Sequence, residues 1–91
     1  MKKYVIERNI PKVHCMGPEE LKGAAATSND ALAKLSPRVQ WLHSYVTPDK
    51  TFCIYLAEDE GAVREHAELS GFPANVISEV TTTIDPSTAH A

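Results

Sequence analysis

Residues 39–57 read VQWLHSYVTPDKTFCIYLA and hold two runs of β-branched and aromatic residues on either side of a polar segment. Runs of this composition are typical of β-strands, and Pro-Asp within a short polar segment is typical of a turn. The stretch therefore predicts a β-hairpin with strands over 39–47 and 52–57 and a turn within 47–51.

Helical patterns flank this hairpin on both sides. Upstream, Pro18 suits the first position of a helix, two glutamates follow it at the positive end of the helix dipole, and apolar residues then repeat at helical spacing. Downstream, an acidic pair at 58–59 can cap a second helix, and Gly71 can end it. We therefore predict one helix from Pro18 to about 36–37 and another that ends at Gly71.

Residues 4–8 before the first helix and 76–84 after the second one predict an outer pair of strands. The order βαββαβ with right-handed crossovers predicts a ferredoxin-like α+β fold, with strands one and three central and two helices on one face of an antiparallel sheet. A chain of 91 residues with 43% apolar content can build one core. We expect a single domain over 1–91, with a frayed tail at 86–91.

The charge and hydropathy of the chain exclude several classes of partner. The formal net charge is −3, and the only basic cluster is Lys2-Lys3 at the start. The chain therefore lacks the basic patch that binding to nucleic acid or to an acidic membrane surface requires. No apolar run approaches the roughly 18 residues of a membrane span, and the first residues do not resemble a signal peptide. We expect a cytoplasmic protein whose two cysteines remain thiols.

Alternation along the hairpin strands assigns their side chains to faces. Phe52, Ile54 and Leu56 form the purely apolar set of the third strand, so we expect them beneath the helices. Pairing Val46 with Phe52 makes the two strands consistent with this choice. The opposite, helix-free face, called the open face below, would then carry Glu7, Trp41, His43, Tyr45, Cys53 and Tyr55.

The open face predicts how the protein assembles. A sheet covered by helices on one side exposes an apolar surface on the other, and such a surface usually marks an interface. A two-fold dimer is the commonest oligomer. We therefore expect a homodimer through the open face, of the dimeric α/β-barrel type.

Three open-face residues suggest a metal site. His43, Cys53 and Glu7 would present imidazole, thiolate and carboxylate, a donor set that suits Ni²⁺, Zn²⁺, Co²⁺ or Cu²⁺ and does not choose among them. Tyr45 or Tyr55 would support these ligands from outside the coordination shell. The plainer interpretation is a hydrogen-bonded core histidine, a buried strand cysteine and a surface carboxylate.

The remaining histidines are interpreted separately. His66, on the second helix, is a fourth candidate ligand, although a packing role explains it equally well. His14 and Cys15 are adjacent in the loop after the first strand, next to Met16, and could bind a soft metal. We interpret them as surface residues because neighbours in sequence rarely converge on one ion. His90, in the tail, has no assigned role.

The open face also allows an organic ligand. Trp41, Tyr45 and Tyr55 could line a pocket for an aromatic substrate or haem, which makes a small monooxygenase or isomerase the alternative function. No nucleophilic triad or glycine-rich phosphate loop is recognisable. A structural module that uses the face only to dimerise is a third interpretation.

Much of the chain resembles a known family. The resemblance rests on four central stretches, WLHSYVTPDK at 41–50, CIY at 53–55, REHA at 64–67 and GFPA at 71–74. They resemble a family of short bacterial domains of unknown function that includes a small nickel-binding protein, and the likeness extends from residue 4 to residue 86.

The resemblance implies a ferredoxin-like fold, a dimer of the α/β-barrel type and nickel binding without an established catalytic activity. Glu7, His43, Cys53 and His66 lie in the matching stretches, but the resemblance does not say which of them are ligands. The loop 12–16 lies outside the recognisable stretches, so any role for it would be a local addition.

Overall fold

Four strands form one antiparallel sheet, and both helices pack on the same side of it. The computed structural model describes residues 1–90. The strands and α-helices are β1 (Lys2–Asn9), α1 (Pro18–Leu35), β2 (Val39–Val46), β3 (Lys50–Ala57), α2 (Glu60–Ser70) and β4 (Val76–Val80). The strand order is β2-β3-β1-β4, with β1 and β3 central. This arrangement confirms the predicted ferredoxin-like α+β fold.

Both helices have the ends that the sequence predicts. Pro18 stands in the first turn of α1. Asp59 caps α2, because its Oδ1 accepts a hydrogen bond from the amide of Ala62 at 2.8 Å. Gly71 ends α2 with a φ of 77°, a left-handed conformation that favours glycine, and its amide donates to the carbonyl of Ala67 at 2.9 Å.

The last strand is shorter than predicted. We expected it over 76–84, but β4 ends at Val80, which pairs with Lys3 near the start of β1. Because β1 begins at Lys2, it has no strand residue opposite 82–84, so the pairing cannot extend as far as predicted. The tail that we expected to fray forms a 3-10 turn over Pro86–His90 without a buried residue, and Ala91 lies outside the described residues.

The core lies between the sheet and the helices. It contains the buried side chains of Tyr4, Ile6, Leu35, Val39, Cys53, Tyr55, Ala57, Ala62 and Val63. Across residues 1–90, no helix is both long and apolar enough to cross a membrane.

The two faces of β3 are the reverse of the prediction. Cys53 and Tyr55 point toward the helices and are buried, whereas Phe52, Ile54 and Leu56 lie on the open face and are half-buried. The apolar character of a side chain shows that it avoids water but not which partner covers it. Since both faces of this strand are rich in apolar groups, composition alone could not orient it.

The hairpin register also differs from the prediction. Val46 pairs with Thr51 rather than with Phe52. Because side chains alternate, a shift of one residue in pairing exchanges the faces of one strand relative to the other. His43 and Cys53, which we expected on one face, therefore lie on opposite sides of the sheet.

A β-bulge in β2 places Trp41 and His43 on opposite faces, although simple alternation put them on the same face. The pairs Trp41–Tyr55 and His43–Ile54 flank Leu42, which has no partner on β3. The extra residue reverses the alternation on one side of the bulge. Trp41 therefore faces the helices and His43 faces away from them, and the prediction of Trp41 on the open face is wrong.

Candidate functional site

The four residues predicted to ligate a metal are divided between the two sides of the sheet. Glu7 and His43 lie on the open face, whereas Cys53 lies on the helix side and His66 lies on α2. Cys53 and His66 are also buried. Within residues 1–90, no three His, Cys, Asp or Glu side chains come close enough to share an ion. The predicted ligand set therefore does not assemble within one subunit.

The two open-face members of that set are distant from each other. The central strand β3 lies between their strands, and they are opposite residues two positions apart on it, so their backbones are roughly 12 Å apart at the usual strand spacing and rise. Glu7 Oε1 lies 3.4 Å from Lys50 Nζ, and His43 Nε2 lies 3.1 Å from the hydroxyl of Tyr45. Each polar group therefore has its own neighbour on the open face.

Cys53 and His66 are packing residues of the core. Cys53 donates a long hydrogen bond of 3.5 Å from Sγ to Thr51 Oγ1. His66 Nε2 lies 3.1 Å from Ser28 Oγ, and its ring lies 5.0 Å from the ring of Tyr55. Burial is the main cause that lowers the pKa of His66 to about 4, so its imidazole is neutral at neutral pH.

The aromatic residues predicted to line an organic pocket are divided in the same way. Tyr45 lies on the open face and is 59% exposed. Trp41 and Tyr55 form a cross-strand pair on the helix side, where burial raises the pKa of the Tyr55 hydroxyl. An organic ligand on the open face would contact only Tyr45 of the three.

The loop between β1 and α1 brings two metal-binding atoms together. Lys12, in a left-handed conformation with φ of 59°, precedes a 3-10 turn over Val13–Cys15, and Cys15 Sγ lies 3.5 Å from His14 Nε2. Bonds of about 2.0 Å and 2.3 Å at a tetrahedral angle separate a nitrogen and a sulfur ligand by roughly the same distance. His14 and Cys15 are exposed, as expected of surface residues, but their side chains converge, which we did not expect of neighbours in sequence.

A backbone contact fixes the tautomer of His14. Its Nδ1 lies 2.9 Å from the carbonyl oxygen of Pro48, and because a carbonyl only accepts, Nδ1 must carry the hydrogen of this bond. In the neutral ring, Nε2 then keeps its lone pair beside Cys15 Sγ. Ligating histidines usually donate their second nitrogen to a carbonyl or carboxylate in this way. The nitrogen and sulfur pair fits Ni²⁺ and the neighbouring transition metals.

Comparisons with known proteins support the fold and identify a family. A family model described as "Nickel responsive protein SCO4226-like" matches residues 4–80. Among solved structures, the chain is similar to the crystal structure of SCO4226 from Streptomyces coelicolor A3(2), with a TM-score of 0.76 and 15% sequence identity over 90% of this chain and 99% of that chain. At this identity the structural likeness shows the fold alone. A search of curated proteins finds no match.

Proposed function

Because the chain belongs to the SCO4226-like family of nickel-responsive proteins, we propose that it binds Ni²⁺ as a homodimer and serves in metal handling or sensing rather than in catalysis. The observation that carries this proposal is the family match, which spans residues 4–80 and confirms the resemblance seen in the sequence. The nitrogen and sulfur donors of His14 and Cys15 suit the same ion.

We place the ion at the loop pair, as a feature of this chain that the family match does not itself supply. His14 Nε2 and Cys15 Sγ are exposed, lie 3.5 Å apart and need no rearrangement of the core to bind a metal. The carbonyl of Pro48 supports the ring from its other nitrogen. Since these are only two donors, water or a second copy of the chain would complete the coordination.

The open face supports the homodimer. Val5, Phe52 and Ile54 are half-buried there, and Tyr45 and Val76 are 59% and 46% exposed. No helix of the described chain covers this surface. Packing two open faces together would remove apolar area from water, which is the usual reason for such a surface in a soluble protein.

Equilibrium dialysis of tag-free protein against Ni²⁺, followed by metal analysis, tests the metal site. We expect His14→Ala and Cys15→Ser each to lower the affinity at least about ten-fold, because each removes a donor. His43→Ala is the matched control, an exposed histidine of the open face, and should keep the affinity of the wild type. Affinity should also fall as the pH is lowered, because the thiol must lose its proton to bind.

Two results of this dialysis would contradict the proposal. Wild-type protein that retains no nickel would reject the function. Wild-type affinity in both loop variants would reject the His14–Cys15 site. Loss of binding in His43→Ala would indicate that the metal binds on the open face.

Sedimentation equilibrium tests the homodimer. We expect wild-type protein to sediment as a dimer and Ile54→Asp to sediment as a folded monomer, because the new carboxylate would be buried in the interface. Leu69→Asp is the matched control, since Leu69 is 47% exposed on α2 and far from the open face. A monomeric wild type, or a dimer that persists in Ile54→Asp, would contradict this arrangement.

A further inference from the structure

A cavity of about 430 Å³ lies on the helix side, between the first half of α1 and the sheet. Its walls are mostly apolar and include Val13, Leu21, Trp41, Val46 and Phe72. Leu21 and Val46 are 41% and 46% exposed, so the cavity reaches solvent between the start of α1 and the end of β2. Cavities that bind small organic molecules have this size and character.

Arg8, a charged residue, is buried in the wall of this cavity. Arg8 follows Tyr4 and Ile6 along the helix side of β1 and is 2% exposed. Its Nη1 donates to the carbonyl of Pro73 at 2.6 Å, and its guanidinium carbon lies 5.7 Å from the centre of the Phe72 ring. Among the described residues, Nη2 has no hydrogen-bond partner and no carboxylate pairs with Arg8. A buried cation in this state is unfavourable until an anion reaches it.

Two buried hydroxyl groups lie in the wall of the same cavity as the guanidinium. Tyr55 and Ser28 line the cavity and are 2% and 3% exposed. Burial raises the pKa of Tyr55, while Ser28 and the charge of Arg8 act in the opposite direction, which indicates that these groups interact. Ser28 Oγ is held 3.1 Å from His66 Nε2. The wall therefore offers a cation and hydroxyl donors at one end and apolar surface elsewhere.

We propose that this cavity binds a small monocarboxylate with an apolar body, and that a small movement of the Arg8 side chain, whose Nη2 is covered in the ligand-free chain, lets the carboxylate accept hydrogen bonds from Nη2 and the hydroxyl of Tyr55. Among the described residues, Arg8 is the only formally charged one that lines the cavity, so a monoanion neutralises it, whereas a phosphate dianion would leave an excess of buried negative charge. A guanidinium edge also matches the planar geometry of a carboxylate. The site differs from the proposed nickel pair and does not depend on it.

Fluorescence provides a direct test, because Trp41 is the only tryptophan of the chain and lines the cavity. Metal-free protein in EDTA is titrated with octanoate, octanamide and octan-1-ol, which share an apolar chain and differ in the head group. We expect a saturable change with octanoate at an affinity at least about ten-fold above that of either neutral analogue, since only octanoate forms a charge-assisted hydrogen bond. Equal affinities for octanoate and octan-1-ol, or no saturable change with any probe, would overturn the proposal.

Substitutions in the cavity wall test which side chains bind the carboxylate. Arg8→Met should abolish the preference for octanoate over octanamide, and Tyr55→Phe should lower octanoate affinity several-fold without changing that for octan-1-ol. Arg64→Met is the matched control, since Arg64 is an exposed arginine of α2. If folded Arg8→Met keeps the wild-type preference for octanoate over octanamide, the assignment of Arg8 is overturned. If that variant does not fold, the proposal is decided by Tyr55→Phe and by the affinities of the wild type for the three probes. Octanoate binding should be unchanged in His14→Ala, which separates this site from the nickel pair.

Discussion

The two faces of the sheet differ in how their charged side chains are paired and exposed, and adjacent residues of β1 show the difference. Glu7 lies on the open face and pairs with Lys50 at 3.4 Å in a setting that water still reaches. Arg8, one residue later, is buried on the helix side without an anionic partner among the described residues. An exposed ion pair adds little to stability, whereas an unpaired buried cation opposes folding. The unfavourable arrangement is therefore the one that suggests ligand binding.

The largest contrast expected between accessible and core positions is in thiol reactivity. Cys15 is exposed in its loop, and Cys53 is buried beneath the helices. We expect iodoacetamide to modify Cys53 about a hundred-fold more slowly than Cys15, because Cys53 is 6% exposed and the reagent must reach it through the cavity that it lines or by a local opening of the core. Peptide mass spectrometry over a time course measures both rates in one sample. Similar rates would place Cys53 on an accessible face and contradict the corrected assignment.

Truncation of neighbouring β1 residues measures how well each face is packed. Ile6 is fully buried on the helix side, and Val5 is half-buried on the open face. We expect Ile6→Ala to lower the free energy of unfolding by about 2–5 kcal/mol, and Val5→Ala to have a smaller effect in the monomer. Urea denaturation at two protein concentrations measures both. A larger cost of Val5→Ala at the higher concentration would show that a second copy covers the open face.

The buried histidine should make stability depend on pH. His66 has a pKa of about 4 in the folded protein, against 6.5 when it is unperturbed. Between these values the unfolded chain binds more protons, so the free energy of unfolding is highest above pH 6.5 and falls as the pH drops toward 4, by at most about 3 kcal/mol. Urea denaturation across this range should show the fall in wild type and in His43→Gln, the exposed control. It should be reduced in His66→Gln, and an unchanged pH dependence in that variant would contradict this origin.

The smallest effect should come from the ion pair of the open face. We expect Glu7→Gln to change the free energy of unfolding by less than about 1 kcal/mol, because its contact with Lys50 at 3.4 Å is partly exposed. Urea denaturation at low and high salt measures the change, and the difference from wild type should shrink at high salt. A loss well above 1 kcal/mol would show that Glu7 becomes buried, as it would be inside a dimer.

Local signals in the sequence were sufficient for most of the fold. The caps at Asp59 and Gly71 and the proline at the start of α1 depend on neighbouring residues only, and all are found where they were predicted. The end of β4 could not be predicted in this way, because it depends on how far β1 extends alongside it to form backbone hydrogen bonds. The same holds for the register of the hairpin, which differs by one residue from the prediction.

The candidate sites were harder to predict than the elements that carry them. His14 and Cys15 were visible as neighbours, but only the 3-10 turn after Lys12 brings their donor atoms to 3.5 Å. Arg8 was overlooked, although the alternation Tyr4, Ile6, Arg8 continues an apolar stripe with a cation, which was the available signal. Nothing local could show that its Nη2 lacks a partner, because that depends on Pro73 and other residues distant in sequence.

By itself, the sequence determined the order of strands and helices, their caps and the family to which the chain belongs, since these depend on short-range preferences and on stretches that can be matched directly. Only the tertiary structure decided which face of each strand is buried, because the bulge at Leu42 and the pairing of Val46 with Thr51 are settled by packing and cross-strand hydrogen bonds. For that reason His43 and Cys53 are separated, while the pairing of β1 with β3 places Arg8 and Tyr55 on the same buried face.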